Sequence, residues 1–210
     1  MDISHTYPSD VAFTPTVKAI QERKGSRRAY RRMEEHGSWE TRITADLAEF
    51  IARQRSIFIA TANPEGQPYI QHRGGPPGFL RVIDTSTIGF VDFVGNRQFI
   101  TQGNLQEDPK ALLFLIDYEL RKRVKIWGTA RVIEGDAAFT AKLMPERYEA
   151  RPEQVIVFTV SAWDANCPQH IPHRLEADDV AAALAERDER IRLLEAQVAQ
   201  LRGTPGGASK

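Results

Sequence analysis

From residue 56 onward the apolar residues stop recurring at helical intervals and come instead in short runs cut by turn residues, which favours strands over helices. Ser56 to Ala62 (SIFIATA) is β-branched and almost wholly apolar, so the expectation is a strand buried on both faces. Asn63-Pro64-Glu65-Gly66 follows as a turn, in which Pro fixes one φ and Gly supplies a positive one, and Pro68 to Arg73 completes a hairpin over residues 56–73. Phe79 to Ile83 and Thr87 to Phe93 predict a second hairpin around Asp84-Thr85-Ser86. Ala111 to Tyr118, Val124 to Ile133 and Gln154 to Trp163 predict three more strands. In the middle one Lys125, Trp127, Thr129 and Arg131 alternate against Val124, Ile126, Gly128, Ala130 and Val132, which puts the two sets on opposite faces. Nothing in this order supports a parallel doubly wound sheet. The expectation is a mainly β (α+β) domain whose antiparallel strands close, or partly close, into a barrel.

Helical patterns flank and interrupt the strands. Residues 1–12 lack periodicity and are expected as an extended arm. Thr14 as N-cap, Pro15 and the stop at Gly25 predict a first helix, and Ser26 to Glu35 a second. The second is strongly basic through Arg27, Arg28, Arg31 and Arg32; with no glycine-rich loop beside it, the run reads as a solvated face or a partner contact. Thr44-Ala45-Asp46-Leu47 begins a third helix, whose apolar Ile43, Leu47, Phe50 and Ile51 fall at helical spacing and which ends near Gln54. Gly95 to Gln106 reads as a loop opening a helix, closed by Asp108-Pro109, and Ala137 to Met144 as a short helix. Near the C-terminus Val180, Leu184, Ile191, Leu194, Val198 and Leu201 follow 4-3 spacing, broken only by Arg187, with Glu186–Arg190 and Asp188–Arg192 at i,i+4. That segment is either a coiled-coil strand or an amphipathic helix folded back on its own domain. The chain therefore divides into an arm with helices (1–40), the β domain (41–175), the heptad helix (176–202) and a disordered tail (203–210).

Lys+Arg and Asp+Glu both number 28, so no overall field favours nucleic acid, and any anion site must be local. Cys167 is the only cysteine, which excludes an intrachain disulfide. No apolar run approaches the roughly 20 residues needed to span a bilayer, and no basic, apolar leader precedes the domain. A cytoplasmic protein is expected. Cys167, His170 and His173 have C-x2-H-x2-H spacing, but a fourth ligand is lacking nearby and no metal is assigned. There is no G-x-S-x-G, Walker A, G-x-G-x-x-G or H-E-x-x-H motif.

Candidate site residues cluster between Gln67 and Leu105. Gln71-His72-Arg73 ends a strand before the Gly74-Gly75-Pro76-Pro77-Gly78 turn, where small residues let a planar ring lie near the backbone or serve the turn alone. Arg81 follows on the next hairpin. Asn96-Arg97 stands in the loop before a helix, where orphan amides and the helix dipole attract an anion, although Asn96 as a cap and Arg97 in solvent fit the same letters.

Four segments, SIFIATANPEGQPYIQHRGG, FVDFVGNRQFITQGNLQEDPKALLFLID, RVKIWGTARV and NCPQHI, together resemble the pyridoxamine 5'-phosphate oxidase-like family of FMN-binding split β-barrels over roughly residues 40 to 175. The resemblance implies an antiparallel split β-barrel that binds FMN at a homodimer interface. It places Gln71, His72 and Arg73 along the isoalloxazine, and Arg81, Asn96 and Arg97 at the phosphate and ribityl chain. Arg123, Lys125, Gln169 and His170 fall where a second subunit contributes. The implied activity is an FMN-dependent oxidoreductase with a small-molecule substrate or electron donor such as NAD(P)H. The alternative on the same barrel is a carrier of flavin or haem without turnover. The family's Ser-Arg-Lys phosphate triplet and the C-terminal Trp and Arg signature of the biosynthetic oxidase are not evident, so pyridoxamine phosphate is not the expected substrate.

Overall fold

The computed structural model describes residues 7–37, 39–166 and 168–203, without the Asn166 side chain. Residues 1–6 of the arm, Cys167, and the tail beyond residue 203 lie outside the described residues. Seven strands form one sheet in the order β2-β1-β5-β6-β7-β4-β3, where β1 is Ser56–Ala62, β2 Pro68–Gly74, β3 Arg81–Asp84, β4 Thr87–Phe93, β5 Lys110–Asp117, β6 Lys122–Ile133 and β7 Pro152–Asn166. Every neighbouring pair is antiparallel. The sheet curls around a single core: Ile57, Ile59, Phe90, Leu113, Ile126 and Phe158 are all fully buried and belong to one cluster. An ion pair between Arg73 on β2 and Asp92 on β4 draws the two ends of the strand order together. This is the partly closed antiparallel barrel that the strand pattern predicted, in the split form that the resemblance implied.

Helices close the ends. In α3 (Ala45–Arg53), Thr44 accepts the Leu47 amide as N-cap, and the Leu47, Phe50 and Ile51 stripe enters the core. α4 (Ile100–Glu107) packs against β1, β2 and β6. α1 (Pro15–Lys24) and α2 (Arg27–Glu35) pack on each other, and α5 (Ala137–Leu143) packs on β4 and β7. α6 (Ala177–Gly203) is exposed from Ala177 to Arg202, so among the described residues it does not fold back onto its own domain.

Several expectations change in detail. Burial along β1 alternates, with Ile57, Ile59 and Thr61 buried and Phe58 and Ala60 only half-buried, so this strand is one-sided. Its apolar outer residues need a cover other than the barrel core. β3 begins at Arg81, because Phe79 and Leu80 turn into the core before pairing starts. The arm contains a 3-10 turn, Pro8–Val11. The arginine run divides: Arg28, Arg31 and Arg32 are exposed, while Arg27 is buried against the fully buried Glu34 carboxylate, with Gln21 accepting a further bond. On α6, Arg192 pairs with Glu189 at 2.9 Å rather than with Asp188.

The β3–β4 turn carries a pH prediction. The Ser86 backbone amide, then the Thr87 and Ser86 hydroxyls, hold the Asp84 carboxyl below the usual carboxylate range. A depressed folded pKa stabilises the fold above the unfolded value of about 3.9, and the benefit is lost as pH falls through the folded value. Asp84→Ala should therefore lower the melting temperature at neutral pH and change little once both states are protonated. Equal losses at both pH values would contradict the assignment.

Candidate functional site

Strand register divides the sequence-predicted residues between two faces of the sheet. Gln71 and Arg73 pair with the buried Ile59 and Ile57, so they share the inward face; His72 and Ile70 pair with Phe58 and Ala60 and share the outer one. A period of two forbids Gln71, His72 and Arg73 from lining one ligand surface together.

On the inward side, Gln71 and Arg73 join Asn96, Arg97, Gln98 and Thr101 around a narrow cleft of about 50 Å³, between the β2 edge and the β4–α4 loop. That volume admits one small polar group and excludes a ring system. The cleft is held from several directions. Thr101 Oγ1 donates to Gln71 Oε1 at 2.9 Å, and Asn104 Nδ2 donates to Thr61 Oγ1 at 3.0 Å, which fixes α4 against β1 and β2. Arg73 Nε lies 2.5 Å from Asp92 Oδ1, its Nη2 donates to Oδ2 at 3.2 Å, and Gln154 Nε2 donates to the same oxygen at 3.0 Å. Arg73 thus has its charge committed. Gln154 Oε1 is buried with no donor among the described residues.

Arg97 is held differently. Its Nε donates to Glu153 Oε1 at 3.1 Å, with the Arg97 side chain 65% exposed. Exposed pairs contribute roughly 0–1 kcal/mol, so this guanidinium can exchange its partner for an anion at little cost. Asn96 Oδ1 accepts the Gln98 amide at 3.3 Å and does not cap α4. The N-cap position is Phe99, in left-handed conformation and without a side-chain cap bond, and Arg97 is left-handed too. Two non-glycine residues with positive φ in three are uncommon, and they present the first-turn amides of α4 uncapped beside Arg97.

Across the outer face, cross-strand partners run His72–Phe58–Phe114–Lys125–Asp164 in one row and Ile70–Ala60–Leu112–Trp127–Ala162 in the next. Ala60, Leu112 and Trp127 of the second row floor an apolar groove of about 750 Å³ that also takes in Tyr7, Pro8 and Thr129. That is ring-sized. Trp127 is stacked on Trp39 at 4.6 Å, and Lys125 Nζ sits 5.4 Å from the Trp127 ring centre and 3.8 Å from Asp164. His72 Nε2 is 2.8 Å from Ser56 Oγ. Arg123 precedes Lys125 by two residues on the same strand and pairs with Ile116 on β5. Ser161, skipped where Trp127 pairs with Ala162 and Gly128 with Val160, lines the groove at this bulge.

The remaining residues stand elsewhere. Arg81 Nη2 donates to the Met144 carbonyl at 3.3 Å, beside α5, and the structure does not bring it to the cleft. Gln169 and His170 are exposed in the segment after β7, which Arg121 holds by donating to the Ile171 and Pro168 carbonyls. Sequence reasoning missed Asp92, Thr101, Gln154 and Trp127. For Asp92 the signal was present: a carboxylate inside FVDFV has to find a cation.

Residues 43–167 match the sequence model of the pyridoxamine 5'-phosphate oxidase family. No curated protein matches the chain. Among solved structures, HupZ of Group A Streptococcus is similar at 20% identity, covering 63% of this chain and 99% of that one, with a TM-score of 0.48. A protein of Lactobacillus delbrueckii described as a putative pyridoxamine 5'-phosphate oxidase is similar at 19% identity over 60% of this chain and 95% of its own, TM-score 0.45. HutZ of Vibrio cholerae, described as a heme storage protein, is similar at 16% identity over 57% and 90%, TM-score 0.41. Since the family match takes in more than half of the 210 residues, and the antiparallel split barrel is the fold it calls for, the chain belongs to the pyridoxamine 5'-phosphate oxidase family.

Proposed function

We propose that the chain is an FMN-dependent oxidoreductase that acts as a homodimer. The observation that carries this reading is the small donor-lined cleft that Asn96, Arg97 and the start of α4 form, which has room for one phosphate; the ring-sized groove lies on the opposite face of the sheet and is a separate surface. The residues fit the group. Arg97, Asn96 and the uncapped first turn of α4 supply the donors a phosphate needs, and the buried, donorless Gln154 Oε1 suits a hydroxyl of the ribityl chain. His72 and Lys125 stand on the opposite, outer face, where a donor or cation would offset negative charge on the ring of a flavin held by a second copy. Arg123, Gln169 and His170 are assigned to the site of a second copy. Bound FMN supplies the hydride and electron chemistry, and the protein supplies position, electrostatics and exclusion of water.

Arg97→Ala should weaken FMN binding by about 10- to 100-fold, the worth of a hydrogen bond to a charged group, while riboflavin, which lacks the phosphate, binds as before. Calorimetric titration of both ligands decides it. Unchanged FMN affinity sinks the placement, and an equal loss for riboflavin shows a folding defect instead. Steady-state NADH or NADPH oxidation with an added acceptor then separates the enzyme from the carrier: a tightly held flavin or haem that no reductant turns over favours the carrier.

A further inference from the structure

We propose that α6 is the strand of a parallel, in-register, two-stranded coiled coil formed with a second copy of this chain. This stands independently of the flavin reading. α6 runs for 27 residues, about 40 Å, and every one from Ala177 to Arg202 is exposed. Leu184, Ile191 and Val198 are 50%, 47% and 45% exposed, and Leu194 and Leu201 are 43% and 77% exposed. A single helix that shows such a stripe to water gains nothing from it, whereas most helical stability in proteins comes from packing an apolar face.

The seam says which partner fits. Its 4-3 spacing makes Leu184, Ile191 and Val198 the a positions, and Val180, Arg187, Leu194 and Leu201 the d positions. In the last two heptads β-branched Ile191 and Val198 at a go with Leu194 and Leu201 at d, the pattern that favours a parallel dimer. The charges agree. Arg190 falls at g and Glu195 at the following e, and a parallel pair brings g of one helix against the next e of the other, twice by symmetry. An antiparallel pair matches e with e; of the e residues Ala181, Asp188, Glu195 and Arg202, full overlap sets Asp188 against Glu195, two acids, twice by symmetry. Within the single chain Arg187, Asp188, Arg190 and Glu195 have no ion-pair partner among the described residues, whereas Arg192, on the far side of the helix, has Glu189.

Arg187 is the one polar interruption of the seam, and it fixes register. In register, the two Arg187 side chains share one layer, flanked by both copies of Asp188 at e. A slip of one heptad sets each arginine against an apolar d layer, spoiling two layers instead of one. A single polar residue in the seam selects register in this way at some cost in stability. Barrels that themselves pair would hold the two helices at high effective concentration, which offsets the shortness of the seam.

Cross-linking of the full-length protein tests this. In a Cys167→Ser background, Val198→Cys at a should oxidise to a chain-to-chain disulfide in most of the protein, whereas Leu193→Cys, equally exposed but off the seam, should not. Arg190→Glu should cut cross-linking at residue 198 about tenfold, and adding Glu195→Arg should restore it. These substitutions lie on a helix exposed throughout, so folding of the barrel is not at stake. Equal cross-linking at 193 and 198, no cross-linking at 198, or no recovery in the charge-swapped variant each overturns the proposal.

Discussion

Gly128→Ala is expected to cost at least about 3 kcal/mol, more than overpacking usually does. A Cβ at Gly128 would lie 2.0 Å from the Thr159 carbonyl oxygen and 2.7 Å from Phe158 Cε1. The first contact is backbone, so no rotamer change relieves it; β6 and β7 must separate where their register shifts. Phe158 is fully buried in the main cluster, so any shift of its ring disturbs the core as well. The groove suffers too, because Trp127, Gly128 and Ser161 line it together. Gly103→Ala is the contrasting case: it lies in α4 with nothing within 4 Å of the added carbon, and should stabilise by roughly 0.5–1 kcal/mol. Urea unfolding of both variants checks the pair. A Gly128→Ala protein within 1 kcal/mol of the parent, on that scale, means that the strands do not approach as described.

Asp92→Leu should cost about 3–5 kcal/mol, the usual consequence of leaving one member of a buried ion pair alone. The Arg73 and Asp92 side chains are 16% and 9% exposed, and Gln154 would lose its acceptor as well. The effect reaches beyond the pair, because it links the first and sixth strands in the sheet order, which no backbone ladder joins. Removing both charges in Arg73→Met/Asp92→Leu should recover most of the loss, since a matched apolar pair often replaces a buried ion pair at little net cost. A double-mutant cycle by denaturant unfolding measures the coupling; additivity within about 0.5 kcal/mol would show that the two groups do not depend on each other. The double variant has a second use. With the anion assigned to Arg97 and the amides of α4, it should retain FMN affinity within a few-fold, and a loss as large as that of Arg97→Ala would move the phosphate to Arg73.

Much of the fold was legible because its signals are local. Asn63-Pro64-Glu65-Gly66 dictated a hairpin, Thr14 and Thr44 both cap the helices they were expected to open, and the alternation across 124–132 is the alternation seen in β6. Where the reading failed, a neighbour distant in sequence was at work. SIFIATA looks two-sided because Phe58 and Ala60 are apolar, yet they face the outer groove and its surroundings, not a second layer of barrel core. Arg27 looked like part of a solvated run, and it is buried because Glu34, two turns along, is buried with it. Phe79 and Leu80 have strand propensity but are taken by the core before the ladder begins.

The candidate site divides the same way. Composition and turn chemistry brought Gln71, Arg73, Asn96 and Arg97 under suspicion, and these four do meet in the cleft. Which arginine has a charge to offer was not written in those letters. Arg73 and Arg97 are equivalent in sequence terms; pairing with Asp92, 19 residues away and five strand steps across the sheet order, commits the first, while the surface pair with Glu153 leaves the second exchangeable.

What the sequence determined by itself was the antiparallel order of short strands, the helix starts, and the heptad stripe of α6, because period and capping depend on residues within a turn or two of each other. Tertiary structure alone decided the face on which each polar residue emerges, the left-handed loop that leaves the α4 amides uncapped, and the bulge that admits no side chain at Gly128. Those depend on register and on close approach between strands far apart in the chain, and such contacts exist only once the sheet has curled around its core.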